Sequence, residues 1–174
     1  MPSPHSYYPV HDRVLENASL LPRQTLLDVG CGDGLIAFGA LARVKSCKVI
    51  FSDISQDLLN HAQRIVRQLN VDDRCQFVNV AADDLSSLQS ASVDVVTTRS
   101  VLIFVTAKQK SFDEFFRVLK PGGRLSICEP ISRFGWPEPS HLFRGYDVTP
   151  IIPIVDKVKA VYLRLQPPDT DPDD

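Results

Sequence analysis

Carboxylates on both sides of a glycine turn are the first residues in this chain with chemistry to offer. The stretch LLDVGCGDG (26–34) ends an apolar run on Asp28, sets glycines at Gly30, Gly32 and Gly34, and puts Asp33 between the last two. Glycines tolerate positive φ and let bare backbone approach a ligand. A glycine turn between a strand and a helix also exposes amides of the kind that hold a dinucleotide pyrophosphate. Two features oppose that ligand here. The spacing G-x-G-x-G is one residue short of the dinucleotide pattern G-x-G-x-x-G, and Asp28 and Asp33 would repel a pyrophosphate at short range. A turn flanked by acids suits a ligand that carries positive charge.

A further acid tests this. Asp53 stands within VIFSDIS, 25 positions after Asp28, where a carboxylate can accept hydrogen bonds from both ribose hydroxyls. That acid implies a nucleoside without choosing among nucleosides. S-adenosylmethionine, with a sulfonium and an ammonium, satisfies both the acids and the ribose position. NAD remains a lesser alternative, disfavoured by the glycine spacing.

These groups need elements to hold them. Five short runs rich in apolar residues, 25–30, 48–53, 75–81, 93–98 and 124–130, read as strands. Their near-continuous apolarity is what strands covered on both faces require, so the sheet is expected to be parallel. Between them lie helical patterns. Leu58, Ala62, Ile65, Val66 and Leu69 recur at helical spacing after Ser55, a candidate N-cap. Phe112, Phe115, Phe116 and Leu119 form a second stripe, expected to face the core, and KPGG (120–123) is expected to stop that helix. Strand, helix, strand in repetition gives an α/β, doubly wound, Rossmann-like fold with right-handed crossovers. Its ligand site should lie at the carboxyl ends of the strands.

With LLDVGCGDG, VIFSDIS, VDVVTTRSVLIFV and EFFRVLKPGGRLSICEP in this order, residues 25–130 resemble class I S-adenosylmethionine-dependent methyltransferases, and RVLKPGG resembles the branch that acts on small molecules. The resemblance implies a sheet in the order 3-2-1-4-5. It implies that Gly30, Cys31, Gly32 and Gly34 form the cofactor turn through their backbone and that Asp28 holds the methionyl amino group, directly or through water. It also gives Asp53 the ribose and packs Ile54 on the adenine. Similar enzymes end the third strand in Gly-Asp-Ala; here the stretch is NVAADDL, so the adenine contacts pass to the Ala82 amide and Asp83. Arg99, after the fourth strand, falls where the backbone meets methionine and the side chain faces the acceptor.

The expected organisation is one methyltransferase domain over residues 1–166 and an acidic tail at 167–174. Within the domain, a helical lid spans about 7–21, the cofactor core 24–130 and a substrate-side segment 131–166. A general base is needed only for an undissociated acceptor. His141, Arg99 and Tyr8 are the catalytic candidates; His11, Tyr7, Glu129 and Tyr146 are further groups of suitable type. The aromatic-rich segment 134–146 is the expected acceptor wall.

Of the 174 residues, 44% are hydrophobic and 23% charged, with a formal net charge of −2. No global field draws such a chain to nucleic acid or to an anionic membrane, and no apolar run approaches the ~20 residues of a membrane span. Cys31, Cys47, Cys75 and Cys128 are too scattered for a zinc site or a disulfide framework. The expectation is a cytoplasmic enzyme with a small-molecule acceptor, no metal and no nucleic-acid partner. The antiparallel strands that usually follow the fifth strand in this class have no counterpart after residue 165. The fifth strand should therefore be an open edge, through which the chain could form a homodimer. A non-catalytic or shortened methyltransferase-like module is the alternative reading.

Overall fold

The computed structural model describes residues 9–129, 141–143, 146–147, 149–154, 157 and 161, and they fall in two compact units, 1–129 and 130–174. In the first, helix α1 (Pro9–Ala18) precedes β1 (Thr25–Val29), α2 (Leu35–Arg43), β2 (Lys48–Asp53) and α3 (Gln56–Leu69). Then come β3 (Cys75–Asn79), β4 (Val93–Arg99), α4 (Lys108–Val118) and β5 (Leu119–Cys128). The five strands pair in parallel in the order β3-β2-β1-β4-β5, the expected doubly wound sheet.

The sheet separates two apolar clusters. Leu26, Val49, Phe51 and Val95 meet α1, α2 and α3 on one face, while Leu27, Val29, Val93 and Val96 meet Phe115 and Val118 of α4 on the other. Adjacent residues of one strand thus enter opposite clusters, which is why β1 and β2 carry consecutive apolar residues, Leu26–Leu27 and Val49–Phe51. Ser55 caps α3 as expected, its side chain accepting from the Leu58 amide at 3.4 Å.

Three elements differ from their sequence patterns. First, the buried seam of α4 is Ser111, Phe115 and Val118, spaced i, i+4, i+7, whereas Phe112 and Phe116 are 39% and 83% exposed. The stripe of four aromatic and aliphatic residues is wider than the face the sheet covers. Second, KPGG does not precede β5 but bulges within it: Val93 pairs with Leu119 and Val95 with Arg124, so residues 120–123 loop out of register. Gly122 takes a φ of +77° there, and Lys120 is tied by its ammonium to Asp94 at 2.8 Å, the carboxylate that also accepts the Thr25 amide at 2.8 Å. Third, α1, expected within the lid, lies against the sheet. Val14, Leu15 and Ala18 are buried. The Ser126 hydroxyl donates to the Val14 carbonyl at 2.8 Å, Arg124 donates to the carbonyls of Ala18 and Ser19, and Arg43 of α2 pairs with Asp12. An amphipathic helix with its apolar side on the core is a layer of the fold.

In the second unit, β6 (Leu142–Phe143) and β7 (Tyr146–Asp147) pair antiparallel, and Asp147 accepts the Thr149 amide at 2.9 Å. Among the described residues, no helix is long and apolar enough to cross a membrane.

Candidate functional site at the carboxyl ends of the strands

β1 pairs through Val29 with Ser52 of β2 and through Val29 with Thr98 of β4, so the three strands end level. The chain leaves β1 into the glycine turn above that line. Gly30, Gly32 and Gly34 all take positive φ, at +61°, +55° and +85°. Their surroundings differ. A Cβ on Gly30 would lie 2.4 Å from a methyl of Val101, and one on Gly34 would lie 2.6 Å from the Phe38 ring. A Cβ on Gly32 would meet nothing within 4 Å. Gly30 and Gly34 are glycine because the protein crowds them as well as for their dihedrals; Gly32 presents bare backbone to open space. The Cys31 amide donates to the Ser52 carbonyl at 2.9 Å, anchoring the turn to β2. Cys31 itself is buried, and burial followed by the nearby Asp28 and Asp53 pushes its thiol well up.

The acids flanking the turn have distinct settings. Asp28 is 2% exposed, accepting the Thr97 hydroxyl at 2.9 Å and the Ala37 amide of α2 at 3.1 Å. Burial pushes its carboxyl up to about 7, against the lowering effect of those hydrogen bonds and of Arg99. Asp33 is exposed and accepts the Leu35 amide at 3.3 Å, serving the first turn of α2. Asp53 ends β2 and is 8% exposed; its two oxygens accept the Gly32 and Ser55 amides, each at 2.8 Å. It therefore locks the glycine turn to the start of α3. Beside this nearly buried carboxylate, Ile54 is 75% exposed. Asn79 donates to the Asp53 and Ile54 carbonyls at 2.9 and 3.0 Å, which fixes the Ile54 backbone.

The far side of the site is the loop after β3. Ala82 is buried in the α4-side cluster, and Asp83 is half-buried. Arg117 of α4 holds this loop, donating to the Leu85 and Leu88 carbonyls at 2.7 and 2.8 Å. Glu114 accepts the Leu85 amide at 2.7 Å. Hydrogen bonding to Arg117 holds the Glu114 carboxyl below its usual range. On the remaining side, Arg99 closes β4, exposed and close enough to Asp28 to lower its pKa.

Glu129, considered above as a base, is saturated with donors. It accepts the Thr98 hydroxyl at 2.7 Å, the Val101 amide at 2.8 and 3.0 Å, and the Leu102 amide at 2.9 Å. A carboxylate with four donor contacts is committed to structure. Sequence patterns did not point to Thr97 or Val101, because a threonine and a valine in a strand region read as ordinary β residues. His141 is exposed in the second unit, where its charge helps lower the Asp147 carboxyl, an effect secondary to hydrogen bonding with Thr149. Tyr7, Tyr8 and most of the 134–146 wall lie outside the described residues, as do the side chains of His11 and Tyr146. Among the described residues no group of three or more His, Cys, Asp or Glu could hold a metal ion.

An acid-floored glycine turn, a nearly buried acid ending the neighbouring strand and a 3-2-1-4-5 parallel sheet define a class I methyltransferase fold. The chain belongs to the methyltransferase-domain family Methyltransf_31, whose model matches residues 21–141. It is 38% identical to a demethylmenaquinone methyltransferase of Clavibacter sepedonicus over 125 residues, 72% of this chain and 47% of that protein. It is 32% identical to the tRNA 5-carboxymethoxyuridine methyltransferase of Escherichia coli K12, over 67% of this chain and 43% of that one. Among solved structures, the [4+2]-cyclase SpnF superposes with a TM-score of 0.65 at 28% identity, covering 69% of this chain and 44% of SpnF. A geranyl diphosphate methyltransferase in complex with S-adenosylmethionine superposes with a TM-score of 0.62 at 26% identity, covering 67% and 46%. The chain thus spans somewhat under half the length of these proteins.

Proposed function

We propose that the chain binds S-adenosylmethionine over its glycine turn and transfers the methyl group to a small-molecule acceptor. The observation that carries the reading is the pairing of Asp53, nearly buried with both oxygens aligned by backbone amides, and Ile54, a large aliphatic side chain left 75% exposed beside it. Each Asp53 oxygen retains a lone pair for a ribose hydroxyl, and Ile54 offers a flat apolar contact for adenine. The open backbone at Gly32 fits a close approach, and the Ala82 amide with Asp83 would meet the far edge of the base.

At the other end, Asp28 would serve the methionyl ammonium. At 2% exposure it acts through an intervening water or after a small opening of the turn. Its raised pKa makes it a receptive partner, because an incoming cation stabilises the charge that burial disfavours. When bound, S-adenosylmethionine supplies a methyl group already activated by the sulfonium. The chain then has to position the acceptor and exclude water, and positioning alone can supply ~7–11 kcal/mol. Arg99 is the exposed cation next to the methionine end and the best-placed group for an anionic or polar acceptor. His141 and Tyr8 remain candidates for proton removal.

These relatives are named for demethylmenaquinone, tRNA 5-carboxymethoxyuridine and geranyl diphosphate. RVLKPGG and the net charge of −2 favour the small molecules. Calorimetric titration with S-adenosylhomocysteine, S-adenosylmethionine and NAD tests the cofactor. The two sulfur nucleosides should bind and NAD should not; comparable NAD affinity would refute the reading. Cofactor binding without turnover across a panel of quinols, prenyl diphosphates and nucleosides would favour the non-catalytic module.

A further inference from the structure

Glu129 is the first residue after β5, yet its side chain acts on the loop after β4. That loop is unusual. Ser100 holds a φ of +57°, uncommon for a residue with a side chain, and its amide donates to the Cys128 carbonyl at 3.0 Å. Directly after it, Glu129 receives the Val101 and Leu102 amides, which open the single helical turn Leu102–Phe104. The same carboxylate receives the buried Thr98 hydroxyl. With its backbone fixed this way, Val101 presses its side chain onto Gly30. A continuous set of contacts therefore runs from Glu129 through Val101 to the first glycine of the turn.

We propose that Glu129 is a positioning residue for the methionine end of the cofactor site. It clamps residues 98–102 in the conformation that seats Val101 against Gly30, and through that contact it fixes the amides around Asp28. The role rests on the cofactor reading above. It differs from a base, which would keep a lone pair aimed at the acceptor, and from a general prop of the fold, which would affect both ends of the cofactor alike. The ribose and adenine end depends on Asp53, Ile54 and the Arg117-held loop, none of which Glu129 touches.

Two substitutions separate these roles. Glu129→Gln keeps an oxygen to accept the Val101 and Leu102 amides and turns its NH2 toward the Thr98 hydroxyl, which can accept as well as donate. Glu129→Ala loses every contact. Affinities are measured calorimetrically for S-adenosylhomocysteine and for 5′-methylthioadenosine, which shares the nucleoside and lacks the amino-acid arm. Hydrogen exchange of residues 98–104 is followed in the unliganded proteins. The expectation for Glu129→Ala is at least a tenfold loss for S-adenosylhomocysteine, a change within twofold for methylthioadenosine, and faster exchange at Val101 and Leu102. Glu129→Gln should stay within threefold of the parent in both affinities and keep the slow exchange. Equal loss of both nucleosides in Glu129→Ala overturns the proposal, as does unchanged affinity. A Gln variant as impaired as the Ala variant also overturns it, because the charge and not the clamp would then be essential. Parent protein that binds neither nucleoside removes the cofactor reading and this role together, whereas parent binding with an indifferent Ala variant removes this role alone.

Discussion

Replacing Asp28 by Asn should make the unliganded protein more stable at neutral and alkaline pH while weakening its hold on the cofactor. The carboxyl is fully buried, and its pKa rises from 3.8 to about 7 with burial as the main cause. A raised folded-state pKa means that the native protein binds a proton more tightly than the unfolded chain does. That contribution to stability is fully present below about pH 4 and is lost as the pH climbs to about 7. Three units at about 1.4 kcal/mol each give ~4 kcal/mol as the cost of keeping the group ionised above pH 7. Asn avoids this cost and keeps the local bonds. Its oxygen accepts the Ala37 amide, and its NH2 donates to Thr97, whose hydroxyl can turn to the Leu27 carbonyl at 3.4 Å. Urea denaturation of parent and variant from pH 4.5 to 8.5 reads the difference directly. The variant's advantage should grow by at most about 1.4 kcal/mol per pH unit, level off above pH 7, and reach about 2–4 kcal/mol at pH 8. S-adenosylhomocysteine affinity at pH 8 should fall at least tenfold, since the ammonium loses its anion. A variant less stable than the parent at pH 8, or a stability gap indifferent to pH, would refute the reasoning.

Asp53→Ala strands the Gly32 and Ser55 amides and removes the ribose acceptor; thermal melts should show a loss of about 1–3 kcal/mol, and calorimetry a loss of S-adenosylhomocysteine affinity of about a hundredfold or more. Parent-like binding would remove the ribose assignment. Gly30→Ala forces a side chain into positive φ against Val101, a combination of backbone strain and overpacking expected to cost about 2–4 kcal/mol; a Gly32→Ala control, strained but unobstructed, should cost less, and the reverse order would contradict the crowding at Gly30. Among the described residues β5 pairs only with β4, and Leu125 and Ile127 on it are each 37% exposed. Sedimentation should therefore reveal concentration-dependent self-association through that edge, and a strict monomer up to about 100 μM would count against the open-edge homodimer.

The sheet was legible because strands covered on both faces carry consecutive apolar residues, as β1, β2 and β4 do at Leu26–Leu27, Val49–Phe51 and Val95–Val96. The glycine turn was legible because positive φ and acids in fixed order are local features. What sequence could not convey was partnership across distance. Glu129 and Val101 are 28 residues apart, and nothing in either neighbourhood announces their hydrogen bond. Phe116 carries the same helical spacing as Phe115, yet only the sheet's placement decides which of the two is covered. The KPGG bulge is a similar case: its glycines correctly signal a break in regularity, but the tie between Lys120 and Asp94 draws the break inside the strand.

Arg117 spends its guanidinium on the loop that precedes β4, reaching back to Leu85, Leu88 and Ser90 as well as to Glu114. The loop proposed to face the adenine is thus fastened by a residue about thirty positions further along the chain. On the ribosome, the glycine turn and Asp53 emerge well before the arginine that completes the opposite wall. Domains fold as units during synthesis, so the proposed nucleoside site is completed only when α4 has emerged and docked. A nascent chain stalled before residue 117 should therefore bind S-adenosylhomocysteine more weakly than the released chain.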